Sequence, residues 1–208
     1  MANPEAKKCT FVCISTIILV VVVIITASIR IVQLNALWPS PTRVEYDKGE
    51  WVSIGTLNDL GQIDEKNPIE VRVTSASLAD YEKMLEVLPD FKIQFSNTRG
   101  EPLTPEQYRV LLVEAEIRNI SLEKRTFAFS QFVAESQVWR NGFDKFLFHD
   151  LNGDIPIVFM LESGETTRVT LPFIMIEQQF ESVSWDQIDN RSFDLVLSLY
   201  PTLTIIQL

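Results

Sequence analysis

The chain has 208 residues, 46% of them apolar, with 28 Asp and Glu against 18 Lys and Arg and a formal charge of −10. That charge excludes unaided binding to nucleic acid, which needs clustered cations to displace counterions. The apolar content excludes global disorder.

Residues 1–10 read as a short cytoplasmic tail and residues 11–31 as a single transmembrane helix. The run Phe11 to Ile29 holds nineteen residues without a charge, a Gly or a Pro, and as a helix it would reach about 28 Å, the thickness of a bilayer's hydrocarbon core. Thirteen of the nineteen are Val, Ile or Thr. Such residues favour strands in water, but lipid offers backbone groups no partner outside a helix. A cleaved signal peptide is the competing reading. Its apolar run is normally about 7–15 residues and ends at a small-residue cleavage pair, whereas this run is longer and no such pair follows it. Cys9 and Cys13 precede most of the run, so neither is placed as a lipidated Cys. They sit four apart, on one helical face, and read as small apolar residues. Lys7 and Lys8 favour a cytoplasmic N-terminus and a C-terminal domain outside the cell, with Arg30 and Arg43 narrowing the bias.

Residues 32–42 form an extracellular linker. Trp38 suits the membrane interface, and Pro39 and Pro41 keep the spacer extended. The remaining residues, 43–208, are numerous enough for a core of their own.

Alternation dominates that domain. Ile69-Glu70-Val71-Arg72-Val73-Thr74 and Val113-Glu114-Ala115-Glu116-Ile117-Arg118 each set apolar side chains on one face and polar ones on the other, the pattern of half-buried strands. Leu78, Tyr81, Leu85 and Leu88, ended by Pro89, predict a short amphipathic helix over 78–88. Thr104-Pro105-Glu106-Gln107 carries a cap, a first-position Pro and a Gln three after the cap, enough for one helical turn. Asn141-Gly142 is the clearest hairpin signal, a pair that takes up a type I′ turn with little strain; it separates expected strands at Phe127–Arg140 and Phe143–Phe148. Asn152-Gly153, Glu162-Ser163-Gly164-Glu165 and Tyr200-Pro201 mark further reversals before a last apolar run, Leu203 to Leu208. Val169-Thr170-Leu171 and Phe193-Asp194-Leu195 continue the alternation, with Pro172 pointing to an edge or a bulge.

Few residues carry recognisable chemistry. There is one His, His149, at the end of an expected strand, no G-x-S-x-G occurs and neither Cys lies in the domain, so the sequence gives Ser or Cys hydrolysis little support. The seven glycines are scattered and match no phosphate loop. Asp150-Leu151-Asn152-Gly153-Asp154 offers oxygens at alternate positions like the start of a calcium loop, so Asp150, Asn152 and Asp154 are the calcium candidates, with Asp144 and His149 just upstream. Ile155 stands where that loop needs Gly and Leu161 where it needs Glu, so an Asx-type turn is the plainer reading. Trp51, Trp139 and Trp185 fit a core or a ligand-binding surface. No catalytic residue, cofactor or strong metal site is expected.

Tyr108 through Asn119, a long strand ending in Asn, and the turn Leu161-Glu162-Ser163-Gly164-Glu165-Thr166 resemble telokin-like, immunoglobulin-like domains of bacterial envelope proteins. Trp38-Pro39-Ser40-Pro41 and Leu197-Ser198-Leu199-Tyr200-Pro201 are similar to a small family of this length in Gram-positive gut bacteria with one N-terminal membrane helix. The resemblance implies fold and address, and no activity. Without a Cys after residue 13 the domain lacks the inter-sheet disulfide of antibody domains. The expected fold is thus an all-β, immunoglobulin-like antiparallel sandwich with one or two short helices, preceded by the membrane helix. The expected function is a non-catalytic envelope module, held in the bilayer by residues 11–31 and binding a peptide or another envelope protein. The alternatives are a carboxylate-dependent hydrolase of wall glycans and a calcium-stabilised adhesin.

Overall fold

The computed structural model describes residues 19–34, 41–57, 63–93, 96, 100–129, 132–180, 185–199 and 202–208. They fall into two compact units, residues 1–41 and 42–208. In the first, residues 19–34 are helical (α1), and Thr26 returns its hydroxyl to the Val22 carbonyl, 2.8 Å away. No helix among the described residues is long and apolar enough to cross a membrane. Residues 11–18 of the expected span, together with Cys9, Cys13, Trp38 and Pro39, lie outside the described residues.

The second unit is a β-sandwich with a few short helices. Among the described residues its strands are β1 (Thr42–Tyr46), β2 (Val52–Leu57), β3 (Ile63–Ala79), β4 (Tyr108–Asn119), β5 (Arg125–Ala128), β6 (Val133–Ser136), β7 (Trp139–Gly142), β8 (Val158–Leu161), β9 (Thr166–Ile176), β10 (Asp194–Ser198) and β11 (Thr202–Gln207). One sheet runs β1-β11-β10-β6-β7, the other β2-β3-β4-β9, and β5 pairs with β8 alone. The first strand lies parallel to the last, Val44 opposite Thr204, and the other pairings are antiparallel.

Period-two alternation explains the core. Ile69, Val71 and Val73 of β3, Val113, Ala115 and Ile117 of β4, and Leu171, Phe173 and Met175 of β9 point inward against Ala134, Trp139, Leu195 and Ile206 of the facing sheet. Phe127, Phe129, Phe132, Phe143 and Phe148 fill one end, Phe129 meeting Phe127 edge-on at 5.0 Å and Phe148 at 5.3 Å, geometries that add about 0.5–1.5 kcal/mol per pair to burial.

A bulge between Val73 and Ser75 shifts the register of β3 against β4. After it Ala76 and Leu78 turn toward the main core while Ala79 faces the other way, as one inserted residue must cause. The predicted helix 78–88 is therefore corrected: Leu78 and Ala79 finish β3, and the helix, α2, is Tyr81–Val87, capped by Asp80, whose carboxylate accepts the Lys83 N–H at 2.9 Å. The expected turn of helix after Thr104 is present as a 3₁₀ turn, Pro105–Gln107.

The expected hairpin at Asn141-Gly142 is also corrected. The β6–β7 reversal is Gln137-Val138, with Ser136 opposite Trp139 and Gln137 at φ 55°, while Asn141 and Gly142 are strand residues of β7. Burial of Trp139 in the core, with its indole N–H donating to Gln179 Oε1 at 3.1 Å, sets the register. Phe143–Phe148 is no strand either. Asp144 caps a helix, α3 (Lys145–Asn152), accepting the Leu147 N–H at 2.8 Å, and Gly153 ends it at φ 60°. A capping Asp, apolar residues at 147, 148 and 151, and a closing Gly are the sequence signal that the alternation obscured.

The turn Glu162–Glu165 lies where the sequence placed it. Gly164 at φ 76° supplies the conformation other residues avoid, and its N–H reaches the Asn119 carbonyl at 2.9 Å. The Tyr200-Pro201 bend lies outside the described residues.

Candidate functional site

The solvent face of the β2-β3-β4-β9 sheet has two unlike halves. At one end Glu114 of β4 stands exposed, Arg118 half-buried and Glu116 buried beneath the side chains of Arg72 and Arg168, with Glu70 alongside. Glu116 accepts from Arg72 at 3.2 Å and from Arg168 at 2.6 Å, and Arg118 pairs with Glu70 at 2.5 Å. Trp51 lies here rather than in the core, with the Arg72 and Arg118 guanidiniums 4.4 and 4.0 Å from its ring centre. The hydrogen bonds from Arg168 and then Arg72 hold the Glu116 carboxyl below its ordinary range. Glu70, Glu116, Arg72, Arg118 and Arg168 are thus paired with one another, and this half reads as a self-satisfied charged face.

At the other end a second, smaller core covers the sheet. Tyr108, Val110 and Leu112 of β4 and Ile174 of β9 point outward beneath Met84 of α2, Leu103 and Leu147 of α3. Pro89 prevents α2 from continuing, and the chain crosses the sheet with Phe91 against Tyr81 at 5.8 Å and Tyr108 at 5.7 Å. Between this crossing segment and α3 runs a groove of about 410 Å³. Leu88, Phe91, Leu147 and Ile174 give it an apolar lining, Tyr108 lies in the same lining, and Asp90, Lys92, Asp144 and Asp150 supply its charges. Phe146 also lines it while remaining 81% exposed. Burial, and secondarily the Asp144 carboxylate, raises the Tyr108 phenol above its ordinary value, so at neutral pH it is an uncharged group. Past Asp144 and Ile174, a hollow of about 260 Å³ bordered by Asn141, Phe143 and Gln179 adjoins the groove.

The groove runs beside β9, and the outer backbone edge of that strand is covered at several groups between Thr170 and Ile174. Asn152 Nδ2 donates to the Thr170 carbonyl at 2.8 Å, and its Oδ1 accepts the Thr170 N–H at 2.7 Å. The Asp144 N–H reaches the Pro172 carbonyl at 2.7 Å, and Asn141 Nδ2 the Ile174 carbonyl at 3.0 Å. Pro172 itself offers no N–H.

The three calcium candidates have different surroundings. Asp150 lines the groove, Asn152 is committed to β9, and Asp154 is exposed beyond the helix end. The expected Asx turn is the last turn of α3, and His149 is an exposed helical residue rather than a strand end. No group of three or more His, Cys, Asp or Glu that could hold a metal occurs among the described residues. Trp185, like Trp139, is core, its indole N–H donating to the Glu106 carbonyl at 3.1 Å.

A second hollow, polar and of about 470 Å³, opens on the other sheet, lined by Gln137, Gln187, Asn190, Arg191 and Asp194. Asp194 of β10 stands directly opposite Glu135 of β6. Burial raises the Asp194 carboxyl above its ordinary value; Arg43, 3.7 Å away, opposes the shift, and Glu135 and Glu45 add to it.

The fold is that of a β-sandwich protein with a partly apolar groove on one sheet. Residues 43–203 match a domain of unknown function (DUF5028), and the chain belongs to that family. Among solved structures it is similar to an uncharacterized β-sandwich protein from Clostridium difficile 630, at 11% identity over 82% of this chain and 97% of that one (TM-score 0.42). It is also similar to the yjhA protein from Bacillus subtilis, at 12% identity over 78% and 98% (0.41). A third similar structure is a conserved hypothetical protein from Bacillus anthracis, at 14% identity over 71% and 91% (0.40). No curated protein matches the sequence.

Proposed function

We propose that the protein is a membrane-anchored, non-catalytic binding module of the cell envelope, with an immunoglobulin-like sandwich held outside the bilayer and its groove as the docking surface. The observation that carries the reading is Phe146, a large aromatic side chain 81% exposed beside a groove with an apolar lining. Exposed aromatics at the mouth of an apolar cleft are the usual anchors of a protein interface.

Two further features support it. The strand order β11-β10-β6, with β1 alongside β11 and the β3-β4-β9 sheet facing it, corresponds to the G, F and C strands of an immunoglobulin sandwich opposed by A, B and E. Along α1, Leu19, Val20, Val21 and Val22, four successive residues that point all round the helix, are each about half exposed or more. A helix apolar on every side needs a non-aqueous surrounding, and residues 11–31 are the anchor in this reading.

A photoreactive phenylalanine analogue placed at 146 in the full chain, in its native membranes, tests it. A reproducible adduct identified by mass spectrometry is expected, and irradiation that yields none sinks the reading. The Asp194–Glu135 juxtaposition favours one alternative, a hydrolase of wall glycans using this facing pair of carboxyls. It requires sugar release from purified wall by the native protein that Asp194→Asn and Glu135→Gln each abolish.

A further inference from the structure

The charge around the groove is one-sided. Asp90 stands on the crossing segment, Asp144 at the cap of α3, and Asp150 on α3 four residues after Phe146, against Lys92 alone. Residues four apart share a helical face, so the exposed aromatic and one carboxylate are presented together. Asp144 commits one oxygen to the Leu147 N–H, while Asp90 and Asp150 are exposed. A cleft with low-dielectric walls and charge of one sign focuses its field and selects ligands of the opposite sign. An acidic segment entering here meets like charges, and a neutral one leaves the carboxylates without partners.

The extent of the cleft argues for a chain rather than a single amine. The smaller hollow past Asp144 and Ile174 extends the same surface along β9. Strand addition at Thr170 to Ile174 is blocked at the Thr170 N–H and carbonyl and at the carbonyls of Pro172 and Ile174, which Asn152, Asp144 and Asn141 already occupy. Recognition must run through side chains.

We propose that the groove binds a cationic, apolar-anchored peptide segment of a partner protein, with a large aliphatic or aromatic residue on Leu88, Phe91 and Phe146 and a Lys or Arg within reach of Asp90 and Asp150. The inference rests on the groove being the docking surface of the module, and it adds the chemistry of the occupant.

Fluorescein-labelled octapeptides of alternating Lys and Phe, Glu and Phe, and Lys and Ser, titrated onto the full chain in phosphatidylcholine nanodiscs, test it. The Lys/Phe peptide should bind, and the other two should bind at least tenfold more weakly. Asp90→Asn combined with Asp150→Asn should weaken the Lys/Phe peptide by about three- to tenfold, the effect of two exposed ion pairs. The protein's overall negative charge attracts any cation, so Asp47→Asn combined with Glu162→Gln serves as a control of equal charge change away from the groove. The inference is overturned if the control weakens binding as much, if the Glu/Phe peptide binds as well, or if the Lys/Phe peptide does not bind. Phe146→Ser separates the two readings. If it weakens binding while the acid pair has no effect, the groove is used and only the cationic occupant is wrong. If neither matters, and the photoreactive analogue gives no adduct, both readings fall.

Discussion

Asn152 meets Thr170 as a neighbouring strand would, donating from Nδ2 to its carbonyl at 2.8 Å and accepting its N–H on Oδ1 at 2.7 Å. One amide side chain thus closes part of the edge of β9, a strand that would otherwise offer an open ladder to other chains. The same Nδ2 donates to the Phe148 carbonyl at 2.7 Å, tying the end of α3 to the sheet and so fixing one wall of the groove.

Asn152→Ala should therefore destabilise the domain by about 1–3 kcal/mol, the range for leaving half-buried backbone groups without partners. In urea denaturation the midpoint should fall with the slope unchanged. Asn152→Asp should do no better, since it keeps the acceptor but sets a carboxylate against two carbonyls.

Calcium should not stabilise the protein. A ligand bound only by the folded state raises stability by mass action, and of the three candidate oxygens Asn152 Oδ1 is already committed to the Thr170 N–H. Melting temperatures in calcium and in chelator are expected to coincide. A rise with calcium would mean that Asp150 and Asp154 recruit a ligand set the present geometry does not contain.

Asn119 is fully buried at the end of β4, donating to the carbonyls of Glu123 at 2.7 Å and Leu161 at 3.0 Å and accepting the N–H and hydroxyl of Ser121 at 2.9 and 2.7 Å. Asn119→Ala removes partners from four groups at once and should cost about 3 kcal/mol or more. Asn119→Asp should remain well below the native protein in stability, because the two donors are lost. Thermal melts of the two variants against the native chain check both statements.

Asn119 also marks how far the sequence could be read. The alternation of Val113 to Arg118, the closing Asn and the Gly164 turn were legible because each is a local matter of period or backbone conformation. Trp139 overrode Asn141-Gly142, since a local turn preference is worth less than burying an indole in the core. The bulge at Val73 and Ser75 changed which face Leu78 occupies, and a hydrophobic pattern alone reads that change as a helix. The groove was not legible at all. Its walls, near Asp90 and Asp150, are far apart in the chain and meet only because both cross the outer face of β4 and β9.

Stability should depend on pH through Glu116. Its carboxyl is held below the ordinary 4.5 by hydrogen bonds from Arg168 and then Arg72. The ionised form therefore stabilises the fold above that value, and the contribution is lost as pH falls through the depressed folded value. Native protein and Glu116→Gln should differ most in thermal stability at neutral pH and converge in acid. A difference that persists in acid would trace the effect to packing rather than to charge.

Asp194 should behave in the opposite sense. Its carboxyl is raised above the ordinary 3.8, by burial first, with Arg43 opposing and Glu135 and Glu45 reinforcing. A raised folded value means that ionisation works against the fold, so the relative stability is present below 3.8 and lost as pH rises through the folded value. Like charges directly across two strands destabilise a sheet, and Asp194 faces Glu135 in that way. Asp194→Asn should accordingly melt higher than the native protein at neutral pH, with the gain vanishing in acid below 3.8. Were the variant less stable at neutral pH, the ion pair with Arg43 would outweigh both burial and the facing carboxylate, and this acid pair would cease to be a place where the fold carries an electrostatic penalty.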